Sequence, residues 1–166
     1  MTKPLAVRSI VREKAYQSLY LKASRPQVSL DQALIQVLAS QGEASDQASL
    51  GDLVQANLPE EYQTKAIVQD ALDYLLTLTA GVLDHEEYLD KQIGPQLKKR
   101  SLNRLDQTDH VILQVASYEL LFQEDLAPSV VIDEAIELAK RFNDDKSSKF
   151  INGVLQAILD SKEAGK

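Results

Sequence analysis

The stretch Thr108-Asp109-His110-Val111-Ile112-Leu113-Gln114-Val115-Ala116-Ser117-Tyr118-Glu119-Leu120-Leu121-Phe122 decides the fold of this chain. Wound as a helix, it carries apolar side chains on nearly every face, the pattern of a helix surrounded by others. The segments after it supply that covering. Val131, Ala135, Leu138, Ala139 and Phe142 form one regular stripe behind Ala127-Pro128, and Phe150, Ile151, Val154, Leu155, Ile158 and Leu159 form another. Proline lacks the donor that a first helical turn leaves orphaned, so Pro128 suits a helix start. Asn143 is expected to end that helix in the left-handed conformation that asparagine tolerates. Gly153, inside the last stripe, predicts a close helix contact that a larger side chain would block.

Working back towards the N-terminus, Val7, Val11, Ala15 and Leu19 step by four, with Ile10 widening the stripe, and predict a helix over 4–23. A weaker one covers 29–39. The segment 40–52 has few apolar anchors and two glycines, which predicts a mobile or irregular connection. Pro59-Glu60-Glu61 suits another helix start, with proline at the first turn and carboxylates at the positive end of the dipole. Ile67, Ala71, Tyr74, Leu75, Leu78 and Val82 are its expected buried face. A further helix from about 84 should kink or end at Gly94-Pro95. No segment alternates with period two for long enough to build a sheet. The chain therefore reads as all-α with about seven helices, and its 166 residues suit a single domain.

Composition narrows the chemistry. Cysteine is absent and only His85 and His110 offer imidazoles, so disulfides, cysteine nucleophiles and zinc or haem sites are not expected. No leader-like or bilayer-spanning run is read in the sequence, which points to a cytoplasmic protein without a membrane partner. A cofactor-binding α/β domain has neither its glycine-rich loop nor room. His85-Glu86 lacks a second histidine at metal-ligand spacing, and Ser147-Ser148 has no histidine nearby in sequence, so catalysis is not expected.

The net charge of −7 is unevenly spread. Residues 1–25 carry six cations against one acid, 98–104 four against none, and 146–166 four against two, while the rest is strongly acidic. Basic islands that meet in space would make a nucleic-acid patch inside an otherwise repelling surface; scattered islands would be ordinary solvated faces. On a helix Arg8, Arg12, Tyr16 and Tyr20 share one slowly drifting face. Arginine binds phosphates through two bonds and stacks on bases, and tyrosine adds a flat ring, so this face suits single-stranded RNA. Tyr16 reads first as core, and Tyr20 suits either role. Lys146, Lys149 and Phe150 fall at the start of the last helix, where free backbone N–H groups can add to an anion site. The Lys98-Lys99-Arg100 run with Arg104 reads most simply as a solvated loop or helix end.

Three blocks carry a family likeness. Val11-Arg12-Glu13-Lys14-Ala15-Tyr16-Gln17-Ser18-Leu19-Tyr20, the segment from Pro128-Ser129-Val130-Val131 to Ala139-Lys140-Arg141-Phe142, and Lys146-Ser147-Ser148-Lys149-Phe150-Ile151-Asn152-Gly153-Val154-Leu155 resemble, in the same order, blocks of the NusB family of transcription antitermination factors. The resemblance implies two packed helical subdomains, about 1–82 and 83–162, without cofactor or metal. It implies a non-catalytic adaptor that binds boxA RNA of nascent ribosomal transcripts together with the ribosomal protein NusE and holds it against elongating RNA polymerase. Lys3, Arg8, Arg12, Tyr20, Lys146, Lys149 and Phe150 are the RNA-binding residues it implies, with Phe150 stacking on the RNA, and Asp109 the contact to NusE. Family members are monomers or dimers, so a homodimer is one expected state. Two departures have consequences. Relatives usually carry an acidic residue where this chain has Lys146, so equal or tighter RNA binding is expected here. Many carry more arginines near the N-terminus than Lys3, Arg8 and Arg12, so that arm is expected to bind more weakly. A protein-only adaptor and an RNA methyltransferase module are the competing functions.

Overall fold

The computed structural model describes the backbone of residues 3–39 and 48–165, with side chains from residue 6 onward. Among these residues there is no strand and there are eight α-helices: α1 Lys3–Ser24, α2 Leu30–Ala39, α3 Leu50–Ala56, α4 Lys65–Asp84, α5 Glu86–Ile93, α6 Gln107–Phe122, α7 Pro128–Phe142 and α8 Asp145–Ala164. Short 3-10 turns occupy Glu60–Tyr62, Gly94–Gln96 and Leu102–Arg104. The chain divides into two compact units, Met1–Ala80 and Gly81–Lys166, so the division falls inside α4.

In the first unit the stripe Val7, Val11, Ala15 and Leu19 is buried as expected, but so are Arg12, Lys14, Tyr16 and Ser18. α1 is thus covered on most sides between 11 and 19, beyond what its apolar pattern shows. Helix α2 starts with a reciprocal cap, in which Gln32 N donates to Ser29 Oγ (3.1 Å) and Ser29 N to Gln32 Oε1 (2.9 Å). The unexpected eighth helix, α3, has the same device: Asp52 N donates to Ser49 Oγ (3.1 Å) and Ser49 N to Asp52 Oδ2 (3.2 Å). Leu53 and Val54 anchor it in the core. Positions 40–47 of the expected irregular connection lie outside the described residues.

Helix α4 also starts later than the sequence suggests. Glu60–Tyr62 forms only a 3-10 turn, and the long helix begins after Thr64, whose Oγ1 accepts from Ile67 N at 3.4 Å. By length and composition α4 is apolar enough to cross a bilayer, contrary to the sequence reading. Its apolar side chains are spent on packing, since Val68, Ala71, Tyr74, Leu75, Leu78 and Val82 are all buried.

In the second unit α6 is buried on almost every face from Val111 to Leu120, as its composition demands. Helices α5, α7 and α8 pack on it. Helix α5 ends at Ile93 before the turn holding Pro95. It is tied to α6 by His110 Nε2, which donates to Asp90 Oδ1 (2.7 Å), and by Gln114 Nε2, which donates to the same oxygen (3.1 Å). The close approach that the sequence assigned to Gly153 occurs instead at Gly81. A Cβ on Gly81 would lie 2.6 Å from Tyr118 Cε1, whereas one on Gly153 meets nothing within 4 Å. Tyr118 is fixed in turn, with its ring stacked on Phe122 at a centroid distance of 5.0 Å.

Candidate nucleic-acid interface

The start of α8 is set by one acid close in sequence and one distant in it, Asp144 and Asp109. Asp144 is its N-cap, with Oδ1 accepting from Ser147 N at 2.8 Å, so part of the expected anion-binding N-terminus is already occupied. Asn143 ends α7 with φ −140° and ψ −123°, not in the left-handed region. Its side chain is used instead: Nδ2 donates to Asp109 Oδ1 (3.1 Å) and Asp106 Oδ2 (3.4 Å). Ser147 Oγ donates to the same Asp109 oxygen. The first turn of α6 and the first turn of α8 are therefore joined through one carboxylate.

This corrects the role read for Asp109. At 3% exposure it offers little surface to a protein partner, and its Oδ1 accepts from both Ser147 and Asn143. Burial pushes its carboxyl above the ordinary carboxylate range, helped by the charge of Asp106, while the bonds from Ser147 and Asn143 and the charge of Arg100 pull it down. A carboxyl that holds its proton more tightly when folded stabilises the fold at low pH. That contribution falls away as pH rises from the ordinary carboxylate range through the raised folded value. In urea denaturation between pH 4 and 8, Asp109→Asn should lose this decline. Asp109→Ala should cost about 1–3 kcal/mol by orphaning Ser147 and Asn143.

Beyond this buried anchor, Lys146 and Lys149 are exposed and Phe150 is half-buried. Phe150 is not the plain core residue its apolar spacing allows. The Arg100 guanidinium lies over its ring, 4.6 Å from the centroid. Two clefts flank the ring. One of about 400 Å³ lies between residues 96–100 and α8, reaching from Lys99 to Ala157. The other is smaller and holds Asp106, Asp144 and Lys146. The basic islands of 98–104 and 146–166 thus meet at Phe150, and the Lys98-Lys99-Arg100 run, read as a solvated loop, lines the larger cleft. The signal available in the sequence was its charge; nothing local fixed its position beside Phe150.

The first unit holds the remaining candidates. Lys3 lies in α1, but its side chain is outside the described residues. Arg8 is half-exposed, its guanidinium stacked 3.6 Å over the Tyr74 ring and 3.5 Å from Asp70 Oδ2. Tyr20 is 37% exposed, and its ring centroid is 5.9 Å from that of buried Tyr16. Arg12 departs from the expectation: it is 2% exposed, its guanidinium 5.9 Å from the Tyr74 ring, and no phosphate reaches it in this conformation. Helical spacing placed it on the face of Arg8 and Tyr20, but that face is covered in the middle of α1.

The comparisons with known proteins agree with one another. The sequence pattern of the NusB family matches residues 24–160, which leaves the block of 11–20 ahead of the match. The transcription antitermination protein NusB of Lactiplantibacillus plantarum is 39% identical over 153 residues, covering 92% of this chain and 94% of that protein. The NusB of Staphylococcus haemolyticus is 54% identical over 86 residues, 52% of this chain and 66% of that one. Among solved structures, T. maritima NusB superposes with a TM-score of 0.63 at 31% identity, over 92% of this chain and 90% of that chain. A crystal structure of the antitermination factors NusB and NusE with dsRNA reaches a TM-score of 0.72 at 24% identity, over 94% and 98%, and shares the fold. The chain belongs to the NusB family.

Proposed function

We propose that this protein is a non-catalytic transcription antitermination factor of the cytoplasm, which binds boxA RNA of nascent ribosomal transcripts together with NusE and couples it to elongating RNA polymerase. The observation that carries this reading is the half-exposed Phe150 ring at the head of α8, set among Arg100, Lys146 and Lys149. An aromatic plane ringed by cations suits a single strand, because every base has a face to stack and every nucleotide a phosphate to neutralise. Arg8 and Tyr20 offer a further cation and ring on the first unit. The relatives are transcription antitermination proteins, and one solved relative holds NusE and dsRNA. Mechanistically this is assembly: phosphate contacts position the strand, ring stacking and base-edge bonds select it, and a second partner raises the affinity of the whole through linkage.

The test is a titration of fluorescent boxA RNA and a scrambled control, with and without NusE, at near-physiological salt. Selective binding strengthened by NusE supports the reading. Equal weak binding to both RNAs, unaffected by NusE, would make it a protein-only adaptor. Lys146 gives a sharper check. Lys146→Asp should weaken boxA binding and lower the slope of log affinity against log salt by about 0.7 for each phosphate that the variant leaves unneutralised. Tighter binding by that variant would refute the role given to Lys146.

A further inference from the structure

Two exposed rings touch on the second unit. Tyr88 of α5 and Phe122 at the end of α6 are 45% and 39% exposed, with centroids 5.7 Å apart. The His85 ring lies 4.5 Å from Phe122, and the buried Tyr118 ring stacks on it at 5.0 Å. A single exposed ring needs no explanation, but a contiguous set marks a contact surface. This set is also held in place, since Tyr118 is in the core and His85 Nδ1 donates to Gly81 O at 2.8 Å. A partner that docks on it loses little free energy to ordering the rings.

The charges around the rings define the partner. Residues 81–90 and 118–127, which supply all four rings, contain seven acids and no Lys or Arg. Asp84, Glu86, Glu87, Glu124 and Asp125 are exposed. Helix electrostatics accounts only for Glu86 and Glu87, at the positive end of α5. Asp84 is the last residue of α4, and Glu124 and Asp125 follow the end of α6, where the dipole favours cations and neither helix has one in its last turn. Acids that work against their own helices call for a reason outside the fold. Two cations near these segments are already engaged: Lys91 Nζ lies 3.3 Å from Glu87 Oε1, and Lys162 Nζ donates to Leu120 O at 2.7 Å. Such a rim repels nucleic acid. The rings also lie at the far end of α6 from Asp109 and its link to the head of α8, about 20 Å along the helix.

We propose that this patch docks an arginine-bearing polypeptide segment of a protein other than NusE. Guanidinium planes lie on the Phe122 and Tyr88 rings, and Asp84, Glu124 and Asp125 hold their charge. A lysine-bearing segment satisfies the acids but gains less from the rings, because its ammonium is compact and strongly hydrated. The family likeness assigns NusE to the first turn of α6, so a segment at the last turn belongs to a different polypeptide. The adaptor then has two separate ends, one for RNA and one for a basic protein. Only the role of the RNA end rests on the reading above.

The experiment follows two labelled peptides of equal length and charge by fluorescence anisotropy, one of Arg-Gly repeats and one of Lys-Gly repeats. Wild type should bind the arginine peptide more tightly, by roughly two- to five-fold for each guanidinium seated on a ring. Tyr88→Ser and Phe122→Ser change no charge, and each should reduce that preference while leaving the salt dependence as it was. Glu124→Gln combined with Asp125→Asn should weaken both peptides and flatten their salt dependence but keep the preference for arginine. Circular dichroism confirms folding, and Tyr88→Ser carries the test alone if Phe122→Ser unsettles Tyr118. Bound boxA RNA and NusE should leave the peptide affinity unchanged. No binding, equal binding of the two peptides to wild type, a preference that survives both ring variants, or displacement of the peptide by NusE overturns the proposal. Failure of the RNA titration above leaves the peptide result standing, because this assay contains RNA in one arm only.

Discussion

Phe150→Ala should weaken boxA RNA binding by roughly ten- to a hundred-fold, because base stacking on an aromatic side chain is worth about 1–3 kcal/mol. The size of the effect follows from the ring's position: half-buried, it lines both clefts. The truncation removes no charge, so the salt slope should be unchanged while the affinity falls. This separates stacking from the cation loss expected at Lys146. Phe150→Leu keeps much of the apolar volume but loses the flat face, and should bind nearly as weakly as the alanine variant. Equilibrium titration with both variants, checked by thermal melting, measures this. Binding by Phe150→Ala within two-fold of wild type would remove Phe150 from the interface.

Gly81→Ala should have the largest effect on stability. In an open helix the change would stabilise by up to about 1 kcal/mol. Here the added methyl falls on the Tyr118 ring, whose own position is fixed by stacking on Phe122 and by contact with His85, 5.9 Å away between centroids. His85 is itself held where Nδ1 donates to Gly81 O at 2.8 Å. Either the helix or the ring must shift, and overpacking of this kind costs about 1–3 kcal/mol. For a chain of this size that corresponds to a fall of roughly 3–10 °C in Tm. Tyr118→Ala in the Gly81→Ala background should recover part of the loss, because the obstacle is then gone. Tyr118→Phe should not, since the clash involves ring carbon as well as the hydroxyl. Additive losses in the double variant would show that the two residues do not collide.

The helices that could be read from the sequence are those whose apolar pattern is strong. α6 and the stripes of α1, α7 and α8 follow from spacing, and the burial of Val11, Ala15, Val131, Ala135, Ile151 and Leu155 agrees. Helix α3 was not legible from periodicity, because seven residues with two core anchors give too short a pattern. Its Ser49-x-x-Asp52 cap was the available signal. The glycines show where local reasoning stops. Gly81 and Gly153 both interrupt apolar helical runs, yet one is required by a neighbour 37 positions on and the other by none. The same limit governs charge. Arg8 and Arg12 differ by one helical turn, and only tertiary packing makes one half-exposed and the other internal. Phe150 and Lys149 were legible as a pair through their place in a family block, whereas the cleft wall from Lys98 to Arg100 needed the fold.

The link from Asp109 to Ser147 and Asn143 also bears on motion. The first turn of a helix ordinarily frays at little cost, since its N–H groups have no partners within the helix. Here that fraying would break a buried bond between α6 and α8, so the turn carrying Lys146 and Lys149 is held with the core. The amides of Ser147 and Ser148, which donate to Asp144, should exchange with solvent water as slowly as those of the helix interior. A strand that docks on such a turn loses less free energy to ordering the protein, and affinity that depends on a few contacts is raised without adding another.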